Sequence, residues 1–185
     1  MKKTFIIFLD IDGVLNCQLF FRERAAYVYD KINDPELESL EFYSQHLCKD
    51  RIGWLNTLCE ETGAVVVISS SWRKGKTIER LREILNYAGA TFTIIDKTGH
   101  TGYERGTEIS KWIKDNVTPE THGSKYYDFD TYVIIDDDSD MLLNQQHNFF
   151  QTDGYSGLTP NTCYRINRFF TGKMFNSNSS DEKTN

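Results

Sequence analysis

Three short apolar runs in this chain end directly in acids or hydroxyls. Phe5-Ile6-Ile7-Phe8-Leu9 runs into Asp10-Ile11-Asp12, Ala64-Val65-Val66-Val67-Ile68 into Ser69-Ser70-Ser71, and Tyr132-Val133-Ile134-Ile135 into Asp136-Asp137-Asp138. A strand with one wet face alternates apolar and polar residues, whereas a strand buried on both faces reads as a continuous apolar run. These runs therefore predict a parallel sheet covered on both sides. Thr91 to Ile95 and, more weakly, Asn148 to Gln151 are further strand candidates. Helical spacing lies between the runs: Ile52, Leu55 and Leu58 in 50–61, Ile78, Leu81 and Leu85 in 77–87, and Ile109, Trp112 and Ile113 in 105–116. Strands alternating with helices in this way predict an α/β, three-layer, Rossmann-like fold with right-handed crossovers.

A chain of 185 residues has room for one domain, placed at residues 1–175. Residues 17–49 break the alternation. They are aromatic-rich (Phe20, Phe21, Tyr27, Tyr29, Phe42, Tyr43), carry a turn signal at Asp34-Pro35, and are expected to form a small cap-like insertion over the carboxyl ends of the strands. Residues 176–185, Ser- and Asn-rich with no apolar side chain, are expected to be disordered. The net charge of −6 argues against general coating of nucleic acid, which needs clustered Lys and Arg. Arg73, Lys74, Lys76, Arg80 and Arg82 make one local basic stretch that reads equally as a solvated surface or a contact for nucleic acid or nucleotides. Cys17, Cys48, Cys59 and Cys163 form no close pair, and the four histidines have no ligand spacing, so a structural zinc is not expected. Met1 to Leu9 shows no secretory cleavage pattern and no apolar run is long enough to cross a bilayer. A cytoplasmic location with free thiols, no membrane contact and no stable protein partner is the expectation.

In an open parallel sheet, ligands bind outside the carboxyl ends of the strands. Strand alternation puts Asp10 and Asp12 on the same side, and Gly13 lets the backbone leave sharply. Carboxylates delivered to one crevice repel each other unless a cation joins them, and an all-oxygen set suits a hard ion such as Mg2+.

The motif DIDGVLN at 10–16 resembles the first motif of haloacid dehalogenase (HAD) superfamily phosphatases. VVVISSSWR at 65–73 is similar to their second motif, RGTEI at 105–109 falls at the third, and YVIIDDDSDM at 132–141 is similar to the acidic fourth. SSSWR, RGTEI and the later Gly157-Leu158-Thr159 together resemble the HAD domains of RNA-repair proteins and of phage-type polynucleotide phosphatases. The resemblance implies Asp10 as nucleophile, Asp12 as general acid/base, Ser69 as a partner of a phosphoryl oxygen, and Arg105 as the stabilising cation. Arg73 is the second choice for that cation. Ser70, Arg73 and Gly13 would adjoin the substrate. Magnesium would be held by Asp10, the backbone carbonyl of Asp12, and Asp136, with Asp137 or Asp140 assisting.

The implied reaction is Mg-dependent hydrolysis of a phosphomonoester through an aspartyl-phosphate, with the 3′-phosphate of a nucleic-acid end as first substrate. A nucleotidase on free nucleotides is the alternative within the same chemistry. A non-catalytic HAD-like binding module is the alternative of another class, and it predicts loss of Asp10 or Asp12, both of which are present.

Overall fold

A computed structural model describes residues 5–28, 39–117 and 132–172. The tail at 176–185, residues 173–175 and the Asp34-Pro35 turn lie outside the described residues.

Among the described residues five parallel strands form one sheet: β1 (Ile6–Leu9), β2 (Val65–Ile68), β3 (Ile94–Lys97), β4 (Tyr132–Asp136) and β5 (Phe149–Gln151), in the spatial order β3-β2-β1-β4-β5. β1 is central and all four of its residues are buried, which is why it is a continuous apolar run. Its alternate residues divide between two cores. Ile7 and Leu9 join side chains of α3 (Lys49–Thr62), α4 (Ile78–Tyr87) and α6 (Pro160–Thr171); Ile6 and Phe8 join Ile109, Trp112 and Ile113 of α5 (Arg105–Val117). The result is the expected three-layer Rossmann-like α/β architecture. Phe8, fully buried and edge-on to both Trp112 and Tyr132, is a position where truncation to Ala costs about 3–5 kcal/mol.

Two elements differ from the sequence expectation. β3 begins at Ile94, not Thr91: Phe92 is buried in the core beneath α3 and α4, and the pairing to β2 shifts register between Val66 and Val67. The strand then runs on into Asp96 and Lys97, tolerated at this sheet edge because Asp96 Oδ2 accepts from the Trp112 indole at 2.6 Å and Lys97 donates to the Lys76 carbonyl at 2.5 Å. α6 is an element that the sequence expectation does not include. Its signals are present: Thr159 caps it by accepting from the Thr162 N–H, Pro160 stands in the first turn, Cys163, Ile166 and Phe170 line the buried face, and Gly172 ends it with φ +66°.

Within 17–49, α1 (Gln18–Val28) and α2 (Leu40–Gln45) are helical. The start of α1 is tied to the loop after β5 by Gln18 N–H to the Gly154 carbonyl and Leu19 N–H to the Tyr155 carbonyl. α2 brings the Tyr43 ring to 5.7 Å from the Trp72 ring, just past the end of β2.

Candidate active site

Register decides which side chains meet. Leu9 is paired with Ile68 on one side and Ile135 on the other, so the next residues, Asp10, Ser69 and Asp136, stand in one row across three adjacent strand ends. By alternation that row faces α5, on the same side as Phe8, Val67 and Ile134. Arg105 is the first residue of α5 and reaches into the row: its Nη1 lies 3.5 Å from Asp10 Oδ1 and 3.6 Å from Asp136 Oδ2. The start of α5 is fixed from β4's side, because the Asp140 carboxylate accepts from the Arg105 N–H at 2.9 Å. Gly106 allows the close approach, since a Cβ there would meet Leu142 N at 2.5 Å and Gln145 Oε1 at 2.5 Å.

The centre is electrostatically under-neutralised. Asp10, Asp136 and Asp137 each offer an oxygen within 4.8 Å of the others, with one guanidinium facing the first two. Burial pushes Asp136 up to about 8, and the neighbouring Asp10 charge adds to it while Arg105 opposes. Burial likewise raises Asp10, with Arg105 and the Ser70 side chain opposing. Asp137 is raised by burial and by Asp10 and Asp138. Arg105 loses by burial but gains more from Asp10, Asp136 and Asp140, so its charge is held firmly. Among the described residues, Asp136 Oδ2, Arg105 Nη1 and Ser69 Oγ are buried without a hydrogen bond, the first two facing each other as an ion pair at 3.6 Å. Buried polar atoms without hydrogen bonds cost about 1–3 kcal/mol each, so converging ones mark a place built for something else to complete. A divalent cation fits this set: three carboxylate oxygens and no sulfur or imidazole suit a hard ion such as Mg2+.

Gly13 has a role in this cluster. Its φ is +68°, and a Cβ would lie 2.1 Å from Asp137 Cγ. Asp137 is enclosed on another side by Gly154, where a Cβ would meet Asp137 Oδ2 at 2.8 Å. Two glycines therefore give Asp137 its space, and only the first was singled out from the sequence. Of the two acids left open as helpers, Asp137 sits with the cluster and Asp140 caps α5.

Asp12 is exposed and is not one of the three clustered carboxylates, although its charge acts on Asp10 and Asp137, and it is well held. The Trp72 indole N–H donates to both carboxylate oxygens at 3.0 Å, Asn16 Nδ2 donates to Oδ1 at 2.9 Å, and Ser71 Oγ to Oδ2 at 3.4 Å. Neither Trp72 nor Asn16 was singled out for this from the sequence; Asn16 lies four residues after Asp12, but nothing local points Trp72 at it. Ser70 caps the short 3-10 turn Ser71–Arg73 by accepting from the Trp72 N–H at 3.3 Å.

Arg73 is brought close to the row but its donors are engaged elsewhere. It is ion-paired with the Glu108 carboxylate, and donates to the Ser70 carbonyl at 2.5 Å and the Gly99 carbonyl at 3.3 Å. Glu108 in turn accepts from the Thr101 N–H at 2.8 Å and lies 3.1 Å from His100 Nδ1. This pair locks the end of β2, the loop after β3 and α5 together. Much of the basic stretch is similarly committed: Arg82 donates to the Ile94 and Ile95 carbonyls, Arg80 pairs with Glu83, and Lys76 lies 4.8 Å from the Tyr43 ring centre. Arg51, also buried, donates to the Ser156 carbonyl at 2.6 Å, and Gly157 gives it room, since a Cβ there would meet Arg51 Nε at 2.7 Å.

A family model described as the HAD domain in Swiss Army Knife RNA repair proteins matches residues 6–163. The chain belongs to that family. The match runs from β1 into α6 and takes in the whole row of Asp10, Ser69, Arg105 and Asp136. No curated protein and no solved structure matches the chain. Membership of a HAD family of RNA-repair type suggests hydrolase chemistry of the phosphatase type, and among the described residues no helix is long and apolar enough to cross a membrane. All four cysteines are buried and free.

Proposed function

We propose that this chain is a phosphomonoester hydrolase that uses Asp10 as nucleophile and removes the 3′-phosphate from nucleic-acid ends. The observation that carries the reaction class is the row at the strand ends, where Asp10, Asp136 and Arg105 converge with buried donor and acceptor atoms that make no hydrogen bond. A tetrahedral dianion bringing its own oxygens, together with a cation, would complete that set.

In this reading an Asp10 carboxylate oxygen attacks phosphorus, the ester P–O bond breaks, and Asp12 gives a proton to the departing oxygen. Water then attacks the aspartyl-phosphate, its proton goes to Asp12, and phosphate leaves with Asp10 restored. Arg105 stabilises charge on the transferring group, and Ser69 donates to one of its oxygens. Mg2+ would be held by Asp10, Asp136 and Asp137 with the Asp12 backbone carbonyl, and it supplies charge neutralisation at the phosphoryl oxygens. Arg73 acts from behind, holding the Ser70 backbone and α5 in place rather than gripping phosphate. Gly13 belongs to the same support, as the space in which Asp137 sits.

The RNA-repair character of the family favours a nucleic-acid end as substrate. The described part of 17–49 flanks the site at Trp72 and the loop after β5, and we propose that it borders the entrance as a small cap. Phosphate release from a 3′-phosphorylated oligonucleotide, compared with 5′-phosphorylated oligonucleotides and free nucleotides in the presence of Mg2+, tests the substrate. Release chiefly from the 3′-phosphorylated oligonucleotide is expected; release from mononucleotides alone overturns that assignment in favour of a nucleotidase, and release from none overturns the enzyme reading.

A further inference from the structure

We propose that Trp72 is a positioning residue for Asp12, fixing through its indole N–H the carboxyl group that transfers the proton to and from the leaving oxygen. This rests on the reaction proposed above and adds to it a residue that does not touch substrate.

An exposed aspartate has no packing reason to keep one rotamer, and its two side-chain torsions are free unless donors hold them. Among the described residues three side chains supply donors to Asp12, and of these Trp72 alone spans both carboxylate oxygens, at 3.0 Å each. Such a fork leaves the carboxylate plane little freedom to turn. The indole is itself anchored from two directions. Its backbone N–H donates to Ser70 Oγ at 3.3 Å, in a turn whose next residue, Arg73, is locked by Glu108. Its ring meets Tyr43 of α2 at 5.7 Å. Trp72 thus transmits the rigidity of the β2 end to a side chain on the β1 end. A merely packed tryptophan would satisfy Tyr43 equally well with its N–H turned to water.

The consequence is selective. Proton transfer by a positioned side chain contributes about 10²–10⁴-fold, and it matters most where the leaving oxygen is a poor leaving group. A misplaced Asp12 therefore impairs cleavage of alkyl phosphates, such as a ribose 3′-phosphate, more than cleavage of p-nitrophenyl phosphate, whose leaving group departs without a proton.

The experiment compares kcat/KM for a 3′-phosphorylated oligonucleotide and for p-nitrophenyl phosphate, in the wild-type chain and in Trp72→Phe, which keeps an aromatic ring but removes the N–H. kcat/KM reports the steps up to formation of the aspartyl-phosphate, where leaving-group protonation acts. We expect the variant to lose about tenfold or more on the oligonucleotide beyond any loss on p-nitrophenyl phosphate, a fraction of the full general-acid contribution. A steeper dependence of rate on leaving-group basicity across a series of aryl phosphates should accompany it. Equal losses on both substrates, or no loss, overturn the positioning role. If Trp72→Phe does not fold, benzothienylalanine at position 72 replaces the N–H by sulfur in the same bicyclic outline and takes the same comparison. Asp10→Asn run in parallel separates the two levels of the argument. Activity surviving in Asp10→Asn overturns the proposed reaction itself, whereas its loss in Asp10→Asn with an unchanged leaving-group profile in Trp72→Phe overturns only the role of Trp72.

Discussion

Gly106 offers a test of how the site depends on one helix terminus. Replacing it by Ala puts a methyl group 2.5 Å from Leu142 N, 2.5 Å from Gln145 Oε1 and 3.0 Å from Met141 Cα. The Gln145 side chain can swing away, although it would leave the Gly106 carbonyl and Ser110 Oγ to which it donates. The two backbone atoms cannot. Restoring ordinary carbon–nitrogen contact from 2.5 Å requires α5 to retreat from the loop by somewhat under about 1 Å. Gly106 is the second residue of α5, so its Gly→Ala propensity gain is below the roughly 1 kcal/mol of a helix interior, while overpacking costs about 1–3 kcal/mol, and a net destabilisation of under about 3 kcal/mol is expected. Activity should suffer more. Arg105 is adjacent, at 3.5 Å from Asp10 and 3.6 Å from Asp136, and its N–H depends on Asp140 in the same loop. A misplacement of about 1 Å in a catalytic arrangement costs on the order of 10²-fold. The assay is kcat/KM on p-nitrophenyl phosphate at a temperature where thermal denaturation shows both proteins fully folded. A loss near 100-fold with a modest fall in Tm agrees with the reasoning; wild-type kcat/KM in a folded Gly106→Ala protein refutes it.

Three further outcomes are expected. Glu108→Gln leaves the buried Arg73 guanidinium without its counter-charge and should cost about 3–5 kcal/mol in urea unfolding, as removal of one partner of a buried pair does; a loss under about 1 kcal/mol contradicts the clamp assigned to that pair. Burial pushes the Cys59 and Cys163 thiols up to about 12, so they should resist iodoacetamide in the native protein at pH 8 and react on unfolding. Asp136, raised from 3.8 to about 8, binds a proton in the folded chain that the unfolded chain has released across that interval, so its contribution to stability is present below pH 4 and is lost as pH rises towards 8. A cation at the cluster replaces that proton, so the rise in Tm on adding Mg2+ should grow between pH 5.5 and 8; an equal rise at both ends would place the ion elsewhere.

The parts of the site that lie on strand ends were legible because backbone periodicity carries them. A buried strand must be apolar throughout, so the first polar residue after it is visible, and three such residues in a parallel sheet must converge. Asp10, Ser69 and Asp136 follow from that alone, and Arg105 followed from its place in a motif. The parts that depend on side-chain reach were not legible. Trp72 and Asp12 are sixty residues apart, and no local pattern says that the indole N–H turns towards the carboxylate. Glu108 stands three residues after Arg105, on the same helix, but its partner Arg73 also reads from the sequence as the second choice for a phosphate ligand, and only the occupied donors of its guanidinium show otherwise. β3 was misplaced by three residues because Phe92 looks like a strand residue and packs under the helices instead. α6 was passed over although Thr159-Pro160 and Gly172 bracket it, since its polar surface hides a narrow apolar stripe.

The central claim is that Asp10 becomes phosphorylated, and trapping the intermediate tests it most directly. The protein is mixed with Mg2+ and a 3′-phosphorylated oligonucleotide radiolabelled in that phosphate, quenched in acid within the first turnover and divided: one portion is counted for protein-bound label, and the other is reduced with borohydride, which expels the phosphate and leaves homoserine, and is then digested. The account predicts protein-bound label before reduction and a matching fraction of homoserine at position 10 after it, and neither in Asp10→Asn. Phosphate release without a modified Asp10, or with label on another residue, would contradict it.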